Sequence, residues 1–317
     1  MLGYLRLASH YNIIDKPNER SSHSRITIRG GGIIFVIAVL LWYFLEGFQY
    51  PLFVAGFLII STVSFIDDLG HVPNRLRITA HLVTVVLLLL EVLNLESVVG
   101  VSTNHPASTY LIFIVVIPIA IGFLNAYNFM DGINGITVMN ALVTLGTLFY
   151  LNQEIHFMDQ DLLVHASMGL LIFGFFNFRK KAVCFAGDVG AVSMAFLITF
   201  TLITLIMATE NYYFIALIFV YGVDSVGTII ERLIKRENIF QAHRSHLYQL
   251  MANESHIPHV QVSLIYGGTQ LFINVWFIYS ISQGTTPSMI AFFSSLTILI
   301  VIFAVAKIKF YKVFAVG

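Results

Sequence analysis

The chain has 317 residues, of which 57% are hydrophobic and 11% charged, with seventeen Lys and Arg balanced by seventeen Asp and Glu. A mean hydropathy of +0.84 exceeds what a soluble domain of this length can bury, so the composition places the chain in a bilayer. Zero formal net charge without a basic tail excludes a nucleic-acid partner, and the lone cysteine, Cys184, excludes an internal disulfide framework.

The chain opens on a polar segment that includes DKPNERSSHSRITIRGGG, from Asp15 to Gly32, with Arg20, His23, Arg29 and a glycine triplet. Met1 to Ser24 holds neither a long apolar core nor a small-residue cleavage pattern, so no cleavable signal peptide is expected. Ten apolar stretches follow, at 33–48, 52–66, 78–93, 110–124, 136–151, 162–176, 192–207, 212–229, 262–281 and 289–306. A hydrocarbon core of ~30 Å asks for helices of roughly 17 to 25 residues, which these stretches approach. The expected fold class is therefore all-α, a polytopic integral membrane protein of about ten transmembrane helices with cytoplasmic active-site loops. It forms one membrane-embedded domain over 1–317, with a cytoplasmic amino-terminal segment at 1–32 and a cytoplasmic active-site loop at 231–260.

Alternating the spans across the bilayer, starting from the side of Arg29, puts all seventeen Lys and Arg on one face. The opposite connectors hold only acids such as Glu46, Glu96, Glu154, Asp159, Asp161 and Glu210. Positive loops stay in the cytoplasm, so the basic face and both termini are expected there.

Polar clusters recur at the ends of spans on that face. The second span closes on SFIDDLG with the adjacent carboxylates Asp67 and Asp68, which repel one another unless water or a cation is near; a solvated helix end is the plainer reading. The fourth closes on NAYNFMDGINGI, where Asn125, Asn128 and Asp131 at i, i+3 and i+6 would share one face of a continuing helix. Such oxygens suit a hard cation or sugar and phosphate oxygens, although Asn also glues helices together in membranes. FAGDVGA sets Asp188 between two glycines at the start of the seventh span, where exposed backbone N–H groups favour phosphate; an acid there could equally be an N-cap. The long inner loop holds His243, Arg244 and His246, a poor zinc set but suited to phosphate oxygens; on a helix the two His would share a face. Asp224, inside the eighth span, needs a partner or a water-filled cleft.

Taken in order, DKPNERSSH with RGGG, the Asp67–Asp68 pair, NAYNFMDGINGI, FAGDVGA and HRSHLYQ resemble the polyprenyl-phosphate N-acetylhexosamine-1-phosphate transferases, of glycosyltransferase 4 type. The resemblance spans nearly the whole chain. It implies transfer of N-acetylhexosamine 1-phosphate from a UDP-sugar to undecaprenyl (polyprenyl) phosphate, giving a lipid-pyrophosphate-linked sugar and UMP at the cytoplasmic face of a bacterial inner membrane. Asp67 and Asp68 look like the family's aspartate-rich motif, Asn128 and Asp131 like its asparagine–aspartate motif, and Asp188 like its magnesium-binding aspartate. The implied catalytic residues are Asp67, Asp68 and Asp131, and the metal ligand is Asp188. Substrate contacts fall to Asn125, Asn128, Arg20, His23, Arg29, His243, Arg244 and His246. The implied cofactor is Mg2+, with Mn2+ able to substitute, and the partners are a UDP-N-acetylhexosamine, undecaprenyl phosphate and the lipid bilayer, with room for a homodimer. A groove near Ile66, Phe129 and Val189 is the expected path of the isoprenoid.

Two departures matter. Tyr248 and Gln249 stand where the family's loop commonly continues His-x-His-His, which leans towards the O-antigen-initiating branch and away from phospho-MurNAc-pentapeptide transferase, the runner-up. Members usually carry a full membrane helix ahead of DxPNxR, whereas fourteen residues precede Asp15 here. From a different class, an ion-coupled transporter would account for intramembrane acids, but transporter sites usually sit at the midplane and no inverted repeat is evident.

Overall fold

A computed structural model describes residues 1–17, 22, 25–70, 72–98, 107–238 and 243–316. Helix α1 (Leu2–His10) is nine residues, roughly 13 Å, too short to cross a hydrocarbon core. Strands β1 (Ile14–Asp15) and β2 (Thr27–Ile28) pair antiparallel, Ile14 opposite Ile28 and Asp15 opposite Thr27. This ladder is a small departure from the all-α expectation, and it brings the amino-terminal segment back on itself.

The rest is helical: α2 (Ile33–Leu45), α3 (Pro51–Leu69), α4 (Asn74–Val98), α5 (Ala107–Met130), α6 (Ile136–Ile155), α7 (Gln160–Asn177) and α8 (Gly187–Thr209). A 3-10 segment (Tyr212–Ile218) runs directly into α9 (Phe219–Ile234), and a short α10 (Leu247–Gln249) with a π turn (Leu250–Glu254) precedes α11 (His259–Ser282) and α12 (Thr285–Val316). Each of the ten predicted apolar stretches lies on one of these long helical segments.

Among the described residues six helices are long and apolar enough to cross a membrane: Pro51–Leu69, Asn74–Asn94, Gly187–Thr209, Tyr212–Ile234, His259–Ser282 and Thr285–Tyr311. Helices at Ile33–Leu45 and Ile114–Met130 are apolar but shorter, so the expected ten reduces to six by length and composition. Helices α6 and α7 fall outside because they carry polar groups. Thr137, Asn140, Thr144, Thr147 and Asn152 of α6 are buried, and α7 opens on Gln160 and Asp161.

Helix α8 is the axis of the molecule, packed on α2, α3, α4, α5 and α6 and buried along almost its whole length. Lipid tails are as apolar as Leu, so association between membrane helices depends on close packing and hydrogen bonds more than on burial itself. Both are present. Phe53 of α3 stacks on Phe200 and Phe196 of α8, with centroids 4.2 and 5.8 Å apart. The break between the 3-10 segment and α9 is satisfied by α11, whose Gln270 accepts from the Val220 amide (2.9 Å) and donates to the Ala216 carbonyl (2.9 Å). Irregular backbone at membrane depth needs such replacement partners.

Candidate active site

The site is assembled from chain ends far apart in sequence. Ile28 bridges Cys184 in parallel, the Phe185 amide donates to the Ile28 carbonyl, and the Gly31 and Gly32 amides donate to the carbonyls of Phe185 and Ala186 (2.8 and 2.9 Å). The glycines permit this approach, because a Cβ on Gly32 would run into the Gly190 backbone of α8. RGGG is thereby docked along FAGD, and Arg29 points at the start of α8.

Asp68, at the end of α3, is buried. It accepts from the Asp188 amide through Oδ1 (2.8 Å) and from the Val189 amide through Oδ2 (3.0 Å), placing a carboxylate on the positive end of α8. Arg29 Nε lies 2.6 Å from Asp68 Oδ1, and Arg29 Nη2 donates to Asp188 Oδ1 at 2.9 Å. One guanidinium thus spans both acids. Burial works against its charge, but Asp68, Asp188 and Asp15 outweigh burial and hold Arg29 above its ordinary pKa. Asp67 accepts from the Val72 amide (2.8 Å) and faces Arg77 Nη1 at 3.3 Å, with its carboxyl within hydrogen-bonding reach of Asp188. Asp188 lies in the first turn of α8 and is not its N-cap.

Helix α5 ends at Met130, so Asp131 sits one residue beyond the helix that carries Asn125 and Asn128, and the expected continuous face stops there. The turn that follows is held from elsewhere. Gly135, at φ +85°, donates its amide to Asn177 Oδ1 (2.7 Å), and Asn134 donates to the Arg179 carbonyl (2.9 Å). Asp131 accepts from Thr137 Oγ1 (2.5 Å). Burial, then the charges of Asp188 and Asp68, push its carboxyl up to about 7 against the pull of Thr137 and Arg29. Four carboxyl groups thus face the two guanidiniums of Arg29 and Arg77, and at pH 7 Asp131 is about half protonated.

The loop with His243 and His246 is not helical, yet its two rings come within 4.9 Å, with His246 immediately before α10. Burial, followed by the nearby His246, Arg232 and Lys307, lowers His243 to about 4, so it is neutral at physiological pH. Arg29, Asn125, Asn128, Asp131, Asp188, His243 and His246 line a single cleft of about 930 Å³. Arg244 is not among the lining residues and has Nη2 3.9 Å from Glu254. Arg20 and His23 lie outside the described residues. Of the expected isoprenoid groove only Phe129 lines the cleft; Ile66 faces outward and Val189 is fully buried, and the apolar wall is formed instead by Ile78, Ile121 and Ile229.

Sequence reading passed over Arg77, His81 and His259, which also line the cleft, as does Tyr248. Arg77 and His81 were discoverable, being i, i+4 polar residues on one face of an apolar helix. Magnesium takes one or two carboxylates together with substrate phosphates and water. Asp67 and Asp188, in mutual reach, fit that donor set, whereas among the described residues no group of three His, Cys, Asp or Glu could hold an ion by itself.

Residues 50–206 match the profile of glycosyl transferase family 4. It is 24% identical over 311 residues to the probable undecaprenyl-phosphate N-acetylglucosaminyl 1-phosphate transferase of Bacillus subtilis (strain 168), covering 94% of this chain and 84% of that protein. Phospho-N-acetylmuramoyl-pentapeptide-transferases of Streptococcus pyogenes match over shorter stretches. The serotype M49 protein is 39% identical over 93 residues, 28% of this chain and 26% of its own length. That of serotype M3 is 42% identical over 78 residues, 23% and 22% of the two chains. This chain is a multi-pass membrane protein and a phosphoglycosyl transferase by family.

One consequence of the docked amino-terminal segment is directly measurable. Cys184 is buried beneath it, and burial pushes its thiol up to about 12 although the chain's amino terminus pulls the other way. N-ethylmaleimide at neutral pH is expected to leave Cys184 unmodified in the native protein and to label it fully in SDS, as read by intact mass. Rapid native labelling would show that β2 does not stay seated on Cys184.

Proposed function

We propose that this chain, acting as a single membrane-embedded domain, moves an N-acetylhexosamine 1-phosphate from a UDP-sugar to undecaprenyl phosphate. The reaction releases UMP and leaves the sugar on a lipid pyrophosphate that starts an O-antigen or other surface polysaccharide. It takes place at the cytoplasmic face of a bacterial inner membrane, where a soluble nucleotide and a lipid headgroup can meet. The observation that carries this reading is the Arg29 guanidinium spanning Asp68 and Asp188 in a cleft whose other walls present Asn128, Asp131 and the two His.

The lipid phosphate is the nucleophile, and with a second pKa near 6 it is already mostly dianionic at neutral pH, so a general base has little to add. Repulsion is the harder problem. Each pair of unit charges at 4 Å opposes approach by roughly 4 kcal/mol at an effective dielectric near 20. Arg29 and Arg77 supply fixed positive charge, and Asp68 keeps Arg29 and the start of α8 in place. Asp68 already accepts two amides and a guanidinium, which suits it to organising the site. When bound, Mg2+, which Mn2+ can replace, would be held by Asp188 with Asp67 and would neutralise pyrophosphate oxygens and polarise the attacked phosphorus. Asn128, Asp131 and the His loop orient the nucleotide sugar.

The test is UMP release by the purified full chain with undecaprenyl phosphate, Mg2+ and UDP-N-acetylglucosamine, UDP-N-acetylgalactosamine or UDP-MurNAc-pentapeptide. Release is expected with an N-acetylhexosamine, lost with EDTA and absent with the peptide. Release from the pentapeptide alone would replace this reading with the peptidoglycan one; uptake of labelled nucleotide into sealed vesicles without lipid-linked product would replace it with transport.

A further inference from the structure

Asp224 sits in α9, 2% exposed, in a segment long and apolar enough to cross the membrane. A carboxylate there is costly unless fully compensated, and it is met by partners from three elements. Its Oδ1 accepts from the Leu247 amide (3.0 Å) and Thr228 Oγ1 (3.2 Å) and faces His246 Nδ1 at 3.3 Å. Its Oδ2 accepts from Tyr266 Oη of α11 (2.7 Å) and the Tyr248 amide (3.4 Å). The loop's other flank is tied by Lys307 of α12, whose ammonium donates to the Ser245 carbonyl, to Thr228 (3.0 Å) and to Glu231 (2.7 Å).

Anchoring the loop would need only the two amides. The contact to Nδ1 does something more, because the partner of one ring nitrogen sets both the tautomer and the direction of the other. The other nitrogen, His246 Nε2, is buried and has no hydrogen-bond partner among the described residues, while its ring lines the cleft. An unsatisfied buried nitrogen is destabilising, and a ligand atom would relieve it. We propose that Asp224 is a positioning residue that holds the His246 proton on Nδ1 and aims Nε2 at a phosphate oxygen in the cleft. With Nδ1–H donating to the carboxylate, the lone pair of Nε2 meets a phosphate oxygen through a proton that the phosphate monoanion or water supplies, and the Asp224 carboxylate balances the charge the ring then shares. The identity of that phosphate rests on the transferase reading; the Asp224–His246 pair does not.

The experiment is nitrogen NMR of the full chain labelled with [15N]histidine in detergent, with His246→Gln identifying the resonances of His246. The wild type is expected to show a protonated Nδ1, and Nε2 is expected to shift on adding UDP-N-acetylglucosamine or undecaprenyl phosphate, whichever brings the phosphate. Asp224→Asn places an amide N–H against Nδ1, moves the proton to Nε2 and removes the Nδ1–H signal, as Asn does beside other His. Asp224→Asn and His246→Gln should each lower kcat/KM by about 10- to 100-fold. Together they should cost no more than the worse single variant within about twofold, since one acts through the other. Tyr266→Phe removes a different donor to Asp224 and should retain the Nδ1–H signal. The pair is overturned by a wild-type neutral ring protonated on Nε2, by an unchanged signal in Asp224→Asn, by multiplicative losses in the double variant, or by loss of the signal in Tyr266→Phe. If the wild type released no UMP with any sugar nucleotide, the transferase reading would fall while the spectrum still decided the pair.

Discussion

Asp68→Asn is expected to lower transfer by on the order of 10² to 10³-fold and to reduce stability as well. The amide keeps one acceptor but presents an N–H towards either an α8 backbone amide or Arg29, each of which now donates to Asp68. Breaking a buried pair typically costs 3–5 kcal/mol. Arg29 retains 32% side-chain exposure and can recruit water, so about 1–3 kcal/mol is the appropriate scale here. Asp188→Asn should separate the two effects. Its carboxylate is partly exposed and holds no helix start, so it should lose comparable activity with a much smaller change in thermal unfolding. UMP release and a detergent melting curve for both variants read the two quantities. Near-normal turnover of Asp68→Asn with unchanged magnesium dependence would remove the electrostatic account of this cleft.

Gly32→Ala should be nearly as damaging although it changes no charge. The added methyl has no room: beyond the Gly190 Cα it meets the Gly190 nitrogen at 2.7 Å and the Ala186 carbonyl at 2.9 Å, all rigid backbone at the start of α8. Overpacking typically costs 1–3 kcal/mol even where side chains can move, so at least about 3 kcal/mol is expected here. The amino-terminal segment would have to lift off 184–187, taking Arg29 from both acids, and transfer should fall with it. Gly146→Ala in α6 is the contrasting case, with nothing beyond the helix's own adjacent turns within 4 Å of the new methyl among the described residues. It should be neutral or stabilising by up to about 1 kcal/mol through helix propensity. Equal melting temperatures for Gly32→Ala and the wild type would mean that the RGGG segment is not seated as described.

The helices and much of the acidic cleft are legible in the sequence for one reason: hydrocarbon tolerates neither unpaired backbone nor idle charge. Apolar runs therefore mark helices, and acids at their ends stand out. Asp67, Asp68, Asn128, Asp131 and Asp188 can be selected in this way, and glycines beside them signal close approach. Other features were misread. The polar face of α6 turns into the protein and α7 opens on polar residues, so counting apolar runs overstates how many helices are apolar enough to cross by themselves. Asn177, which fixes the Gly135 turn, carries no local signature because its partner is 42 positions away.

By itself the sequence determined that the chain is a helical membrane protein with acids and glycines gathered at helix ends, since hydropathy and the cost of intramembrane charge act residue by residue. Tertiary structure alone decided which charge meets which. Arg29 reaches Asp188 across 159 positions, and Asp224, unexplained in the linear chain, holds a loop 22 to 24 residues away and a hydroxyl 42 away. Electrostatic and hydrogen-bond energies depend on distances of a few ångströms, and only the packing of helices against α8 sets those distances.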